Sequence, residues 1–310
     1  MDKYYTKPCN FYFGTKSKKK VKNKEALPLN GNKSISFDTI EIISRKEKKL
    51  LNVKKINNLR LSLKKKINSD ISNIVKKKNF NGLSFANFPI LMGVINITPD
   101  SFSDGGKYFQ INSALARANY FIKKGCKIID VGGESTRPGA KDISFKKEWK
   151  RIEGFLKKSK KLNCLISIDT RKSKIMELAH KHKVDLVNDV SGLSYDKRTI
   201  DFLKKTKKSF VIHHSKGLPK NMQNKPNYKN VLLDIYDFFE NKLNTINSNG
   251  IKHKNIILDP GIGFGKNLKH NITLLKQVSI FHSLGYPIML GISRKRFIKD
   301  LVNINDSKER

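Results

Sequence analysis

Cysteine is scarce in this chain of 310 residues: Cys9, Cys126 and Cys164 are all it has. An odd number, widely spaced and without a CxxC pair, argues against a disulfide framework or a zinc site and suits a reducing cytoplasm. Long apolar runs are missing too. The longest, at 255–258 and 287–292, are of strand length, far short of the ~20 residues that cross a bilayer. No membrane span is expected. The first residues carry Asp2 and no continuous apolar stretch, so neither a signal peptide nor a presequence is read there. Acidic residues are few: 26 Asp and Glu stand against 64 Lys and Arg, a formal net charge of +38. Such a balance attracts polyanions. The lysines, however, are spread along the whole chain at positions where a helix faces water, with no RNA-binding aromatic pattern and no helix-turn-helix spacing. They are read as a solvated surface, and nucleic-acid binding is not expected.

What is present suffices for a core: 38% hydrophobic and 9% aromatic residues, in a length that suits one large domain or two ordinary ones. Composition shifts near residue 85. Residues 1–85 are rich in Lys and Asn, with strand-like runs at 11–14 and 34–44 (SISFDTIEIIS). Leu59, Leu63, Ile67, Ile71, Ile74 and Val75 fall at helical spacing within 59–78. This part reads as a small α+β extension that collects no catalytic side chains. Residues 86–310 read differently. Short apolar strands, at 90–95, 127–131, 164–168, 185–188, 209–213, 255–258 and 287–291, alternate with helical segments. Such runs suit parallel strands buried on both faces. The repeat predicts an α/β fold, a (β/α)8 TIM-type barrel showing seven strands, with an open doubly wound sheet as the alternative.

Nearly every strand ends in a polar cluster: NITPDSFSDGG, GGESTRPGA, DT, ND, HH, DPGIGFGK and SRK. In a barrel the C-terminal strand ends meet on one face. Asn96, Thr136, Arg137, Asp169, Asn188, His214, Asp259 and Lys295 are therefore expected around one mouth. Asp169, Asn188 and Asp259 would suit a flat heterocycle with several ring N–H donors, although each Asp alone could simply cap the following helix. Arg137, Arg294 and Lys295 bring positive charge suited to phosphate. Asn96 reads equally as a turn residue or as a ligand to Mg²⁺ held mostly by a substrate phosphate. The adjacent His213 and His214 point to opposite faces of a strand, so at most one faces the mouth. The Gly-rich segment 259–266 has neither the Walker nor the GxGxxG spacing, and no GxSxG elbow occurs.

Taken together, GVINITPDSFSDGG (93–106), IDVGGESTRPGA (129–140), SIDT (167–170), NDVSG (188–192), LDPGIGFGKN (258–267) and GISRK (291–295) resemble the signature blocks of bacterial dihydropteroate synthases, in order and at compatible spacings. The resemblance covers about residues 88–300. It implies a (β/α)8 barrel that condenses 6-hydroxymethyl-7,8-dihydropterin diphosphate with 4-aminobenzoate, releasing diphosphate and 7,8-dihydropteroate for folate synthesis. It implies that Asn96 binds Mg²⁺ with the diphosphate, and that Thr136 and Arg137 lie on a mobile loop near diphosphate and aminobenzoate. Asp169, Asn188, Asp259 and Lys295 would hold the pterin, Phe264 would line its pocket, and Phe102 and Pro138 would shape the aminobenzoate slot where sulfonamides compete. Of these, Asp169, Lys295 and Arg137 are the expected catalytic residues. Family members are commonly homodimers through helices near the C-terminus.

Two departures stand out. The family's chain normally continues to an eighth strand and helix carrying an Arg and a His in an RVHD-like stretch that grips the diphosphate. No RVH stretch occurs here, so an incomplete sequence with reduced activity is expected. In VIHHSKGLPKNMQ (211–223), alignment on Gly217-x-Pro219 makes His214 the family's histidine and puts Ser215 where a Met is usual. The rival readings are a pterin-dependent methyltransferase barrel and an inactive homologue with a basic, nucleic-acid-binding surface.

Overall fold

The computed structural model describes residues 2–80, 83–84, 89–98, 107–135, 140–216, 226–251 and 255–302. They fall into two compact units.

The first unit is built on residues 1–88. The alternating run within SISFDTIEIIS becomes the heart of β3 (Asn32–Ile43), which pairs antiparallel with β1 (Tyr5–Phe13) from Tyr5↔Ile43 to Phe13↔Ile35. On its other edge β2 (Leu27–Leu29) takes the first half and β4 (Lys48–Asn52) the second. A helix, α1 (Gly14–Lys22), joins β1 to β2. A second, α2 (Leu61–Val75), turns Ile67 and Ile74 onto Phe37, Ile40 and Ile42. Its buried Asp70 is matched by Lys66 Nζ and Thr6 Oγ1, each at 2.6 Å. A two-residue hairpin, β5 (Asn79–Phe80) and β6 (Leu83–Ser84), follows. A sheet this small needs its apolar face covered. Residues 228–240 and 269–288 belong to the same unit and supply part of that cover. The Tyr5 ring meets Tyr236 edge-on at 5.0 Å, and its hydroxyl donates to Asp237 Oδ1 at 2.9 Å. Arg45 spans Asp234 and Asp237 at 2.9 and 2.7 Å, and Asn73 Nδ2 donates to the Ser283 carbonyl at 3.0 Å.

The second unit comprises residues 89–227, 241–268 and 289–310. Its strands are β7 (Met92–Asn96), β8 (Ile128–Gly132), β9 (Leu165–Asp169), β10 (Leu186–Asp189), β11 (Ser209–His213) and β12 (Ile256–Asp259). Between them in sequence come α3 (Lys107–Lys123), α4 (Phe145–Ser159), α5 (Ser173–His180), α6 (Arg198–Thr206) and α7 (Val231–Ser248), of which residues 231–240 belong to the first unit. After β12 the chain runs through α8 (Leu268–Gln277), which beyond Leu268 belongs to the first unit, to α9 (Arg296–Val302). All six strands are parallel and lie in sequential order, β7 to β12. A doubly wound sheet reverses its strand order part-way; this one does not. The arrangement is that of an incomplete (β/α)8 barrel.

The seventh expected strand, at 287–291, is a correction. The stretch makes an isolated β-bridge at Ile288, with the Met289 N–H bonded to the Leu258 carbonyl at 2.8 Å. Pro287 brings no N–H, and Leu290 and Ile292 are exposed, so the bridge is not extended into a strand.

The βα loops are tied to one another. Ser173 opens α5 and donates from both its N–H (3.0 Å) and its hydroxyl (2.7 Å) to Asp196 Oδ2, which lies in the loop after β10. Burial alone would raise the Asp196 carboxyl; the bonds from Ser173 and Arg198 outweigh it and hold the pKa at about 2. A depressed carboxyl stabilises fully above its unfolded pKa, and the contribution is lost as pH falls through the folded value. The stability gap between wild type and Asp196→Asn should therefore be constant above pH ~5, on the order of 2 kcal/mol. It should shrink below pH ~4 and vanish near pH ~2. Denaturant melts across that range measure it, and a gap that ignores pH would refute the assignment.

Candidate active site

The parallel register brings the strand tips together. Asn96 lies opposite Gly132, Gly132 opposite Asp169, and Asp169 opposite Asn188. Further round, His213 lies opposite Asp259. The absence of a side chain at Gly132 keeps this end open. A Cβ there would stand 3.3 Å from Asp169 Oδ2 and 3.4 Å from Asn96 Oδ1.

The tips carry buried acceptors. Among the described residues, Asp130 Oδ1, Asp169 Oδ1, Asn188 Oδ1 and Asp189 Oδ2 are buried without a hydrogen-bond partner. Burial raises the pKa of all three carboxyls. At Asp169 the neighbouring Asp130, Glu148 and Asp189 carboxylates add to it, and the pKa stands well above the usual range. Buried polar atoms are normally satisfied. Asp169 Oδ1 and Asn188 Oδ1, on adjoining strand tips, are placed to take a partner rich in N–H donors.

A cation and an aromatic ring lie together near these acids. Lys295 Nζ sits 4.2 Å from the centre of the Phe264 ring, within cation–π range. Burial lowers the Lys295 pKa, and the charges of Asp259 and Asp169 oppose the shift. Phe264 also meets the His213 ring edge-on at 4.6 Å. His213 Nδ1 lies 2.9 Å from the Val190 carbonyl, which can only accept, so the proton sits on Nδ1. Nε2 remains an acceptor 4.0 Å from Asp259 Oδ2. Burial lowers the His213 pKa to about 4, so the ring is neutral at physiological pH and this is no ion pair.

The Gly-rich segment after β12 folds on its own backbone. Asp259 Oδ1 accepts the Gly261 N–H at 2.8 Å. Lys266 is buried and reaches back to the carbonyls of Gly261 and Phe264 at 2.9 and 2.8 Å, with His214 Nδ1 at 3.0 Å. Burial lowers its pKa to about 7. Gly261, Gly263 and Gly265 all have positive φ. The segment is a shaped turn that presents Phe264, and its lysine is a staple.

Of the residues expected at one mouth, Asn96 and Asp169 meet at Gly132, Asn188 pairs in register with Asp169, and Lys295 joins Asp259 and Phe264. His214 faces Lys266, and it is His213 whose ring meets Phe264 and Asp259. Arg294 is exposed, with φ +58. Phe102, Thr136, Arg137 and Pro138 lie outside the described residues.

Three features were not singled out in the sequence. Asp130 accepts Asn188 Nδ2 at 2.9 Å; its signal was a lone charge inside the apolar strand IIDVG. Asp189 sat unremarked beside Asn188. A buried ionic network also lies behind β8 and β9. Arg171 bonds Glu134 at 2.9 Å and Asp142 at 3.0 Å. Lys172 bridges Glu134 and Glu148 at 2.9 and 2.7 Å, and Glu134 accepts the Ile143 N–H at 3.0 Å. It ties Glu134 to Asp142 and Ile143. Nothing local in sequence links residues 134, 148 and 171.

Among the described residues no three His, Cys, Asp or Glu side chains group as a metal cage. A hard cation held mainly by a ligand's phosphate needs fewer protein donors, and the Asn96 side-chain oxygen is a hard donor of that kind.

Residues 92–310 match the family described as pterin binding enzyme. The chain belongs to the pterin-binding enzymes. Within that family its relatives are dihydropteroate synthases. That of Neisseria meningitidis serogroup C is 40% identical over 226 residues, covering 72% of this chain and 80% of that protein. The Yersinia pestis dihydropteroate synthase in complex with a sulfonamide drug superposes with a TM-score of 0.69 at 35% identity, covering 75% of this chain and 84% of that one. The Xanthomonas albilineans enzyme with 4-aminobenzoic acid gives 0.68 at 30% identity, covering 73% and 81%. Among the described residues no helix is long and apolar enough to cross a membrane, and all three cysteines are free thiols.

Proposed function

We propose that this chain is a dihydropteroate synthase. It joins 6-hydroxymethyl-7,8-dihydropterin diphosphate to 4-aminobenzoate and releases diphosphate, and sulfonamides compete for the aminobenzoate position. The observation that carries the reading is the row of unpartnered buried acceptors at Asp169 and Asn188, one register step apart. A pterin edge offers the ring N–H and amino donors that such a row accepts. Phe264 offers a face for the ring, and Lys295, Asp259 and His213 complete the pocket.

Departure of diphosphate breaks the methylene C–O bond and leaves positive charge on a methylene conjugated to the pterin. Burial and neighbouring acids make Asp169 reluctant to be ionised by itself. A cation growing beside it reverses that preference. The attraction is therefore larger in the transition state than in the ground state, which is what lowers a barrier. The aromatic amine then forms the N–C bond and gives its proton to water. Lys295 and, by resemblance, Arg137, Thr136 and Arg294 supply cationic or polar contacts to the diphosphate side, with Phe102 and Pro138 beside the aminobenzoate. Asn96 would hold Mg²⁺, which when bound neutralises charge on the leaving diphosphate.

Diphosphate release is the test. It should require the pterin diphosphate, 4-aminobenzoate and Mg²⁺ together, with calorimetry reporting binding of the pterin alone. No pterin binding, or release indifferent to 4-aminobenzoate, would overturn the proposal.

A further inference from the structure

Asn188 carries an amide whose two ends are chemically opposite, an NH₂ that donates and an oxygen that accepts. In a pocket floor of acceptors, which end faces the ligand decides what the pocket can read. Nothing in Asn188 itself settles the matter, since the two ends have the same shape. The neighbouring strand does. Asn188 Nδ2 donates to Asp130 Oδ2 at 2.9 Å, and both residues are buried. Turning the amide over would set its oxygen against a carboxylate oxygen in a buried site, which is strongly disfavoured.

We propose that Asp130 is the specificity-determining positioning residue of this site: it holds the Asn188 NH₂ and so commits the Asn188 oxygen, beside Asp169, to reading two neighbouring N–H donors. The inference rests on the pterin reading above and deepens it. Asp130 acts through Asn188, from β8 to β10, across the intervening β9. Both outer strands are in register with β9: Asp130 opposite Ser167, and Asn188 opposite Asp169. The result is a floor with acceptors at both Asn188 Oδ1 and Asp169 Oδ1, neither partnered within the described residues. Such a floor accepts a 2-amino pterin edge and repels an analogue with an oxygen at that position.

The test uses the full chain and two probes, 6-hydroxymethylpterin and 6-hydroxymethyllumazine, in which an oxo acceptor replaces the 2-amino donor. Wild type should bind the pterin and discriminate against the lumazine. In Asp130→Asn the Asn188 amide is free to present either end. Pterin affinity should fall roughly 10–100-fold, and the pterin-to-lumazine ratio should shrink with it. The reciprocal variant, Asp130→Asn with Asn188→Asp, restores a donor behind and an acceptor in front, and should recover at least about tenfold of the loss. A ratio unchanged in Asp130→Asn, or a folded reciprocal variant no better than the single one, overturns the inference. A wild type that binds neither probe sinks the pterin reading itself, and this inference with it. Should the variants not fold, the wild type still decides. The Asn188 side-chain NH₂ resonances should keep their hydrogen-bonded shifts when the pterin binds, and their transfer to the ligand would refute the role of Asp130.

Discussion

Asp169→Asn is expected to lower kcat roughly 10²–10³-fold while pterin affinity changes far less. The substitution keeps the shape of the side chain and one acceptor oxygen, so a ground-state pterin loses little. It removes the charge that becomes favourable only as the methylene turns cationic. Asp169 is buried, its Oδ1 has no partner among the described residues, and it lies with Asn96 around the open position at Gly132. No described side chain is better placed to substitute for it, because Asp130 is engaged with Asn188. Steady-state kinetics, with pterin binding measured separately, give the answer. A loss appearing in KM alone would mean that Asp169 only anchors the ring.

Gly261→Ala is expected to destabilise the protein by on the order of 3 kcal/mol or more and to abolish turnover. At φ +67, an added Cβ would fall 1.9 Å from the His214 carbonyl oxygen and 3.1 Å from His213 Nε2. The first obstacle is backbone and cannot swing aside. The turn after β12 would have to move, carrying Asp259, Phe264 and the Lys266 staple with it. Gly250→Ala is the control. Its φ is +77, yet a Cβ there meets nothing nearer than Lys204 Cε at 4.0 Å, so only backbone strain of about 1 kcal/mol is added. Comparable melts for the two variants would show that the close approach, and not the left-handed backbone, is unimportant.

Much of this architecture is legible in one dimension. The six strands that form are short runs rich in Ile, Val and Leu, and a strand buried on both faces needs mainly that its own residues be apolar. Their polar tips follow directly, because each is the next residue along the same chain. The expected seventh strand fails for a reason the run PIML does not reveal. A strand is completed by its neighbours' hydrogen bonds, and the Pro287–Gly291 stretch gets no further than an isolated β-bridge at Ile288. The histidines divide similarly. Alternation along the strand allows at most one of His213 and His214 to face the mouth; the Val190 carbonyl and Lys266 decide that the His213 ring meets Phe264.

The order of apolar runs and the residue at each tip are properties of the chain alone, since they depend on local pattern and on the alternation of side chains along a strand. The orientation of the Asn188 amide, the ionic brace of Glu134, Arg171 and Lys172, and the recruitment of residues 228–240 and 269–288 beside the first 88 all needed the folded molecule. Each joins groups far apart in sequence, and a hydrogen bond or ion pair depends on distances of about 3 Å that only folding brings about.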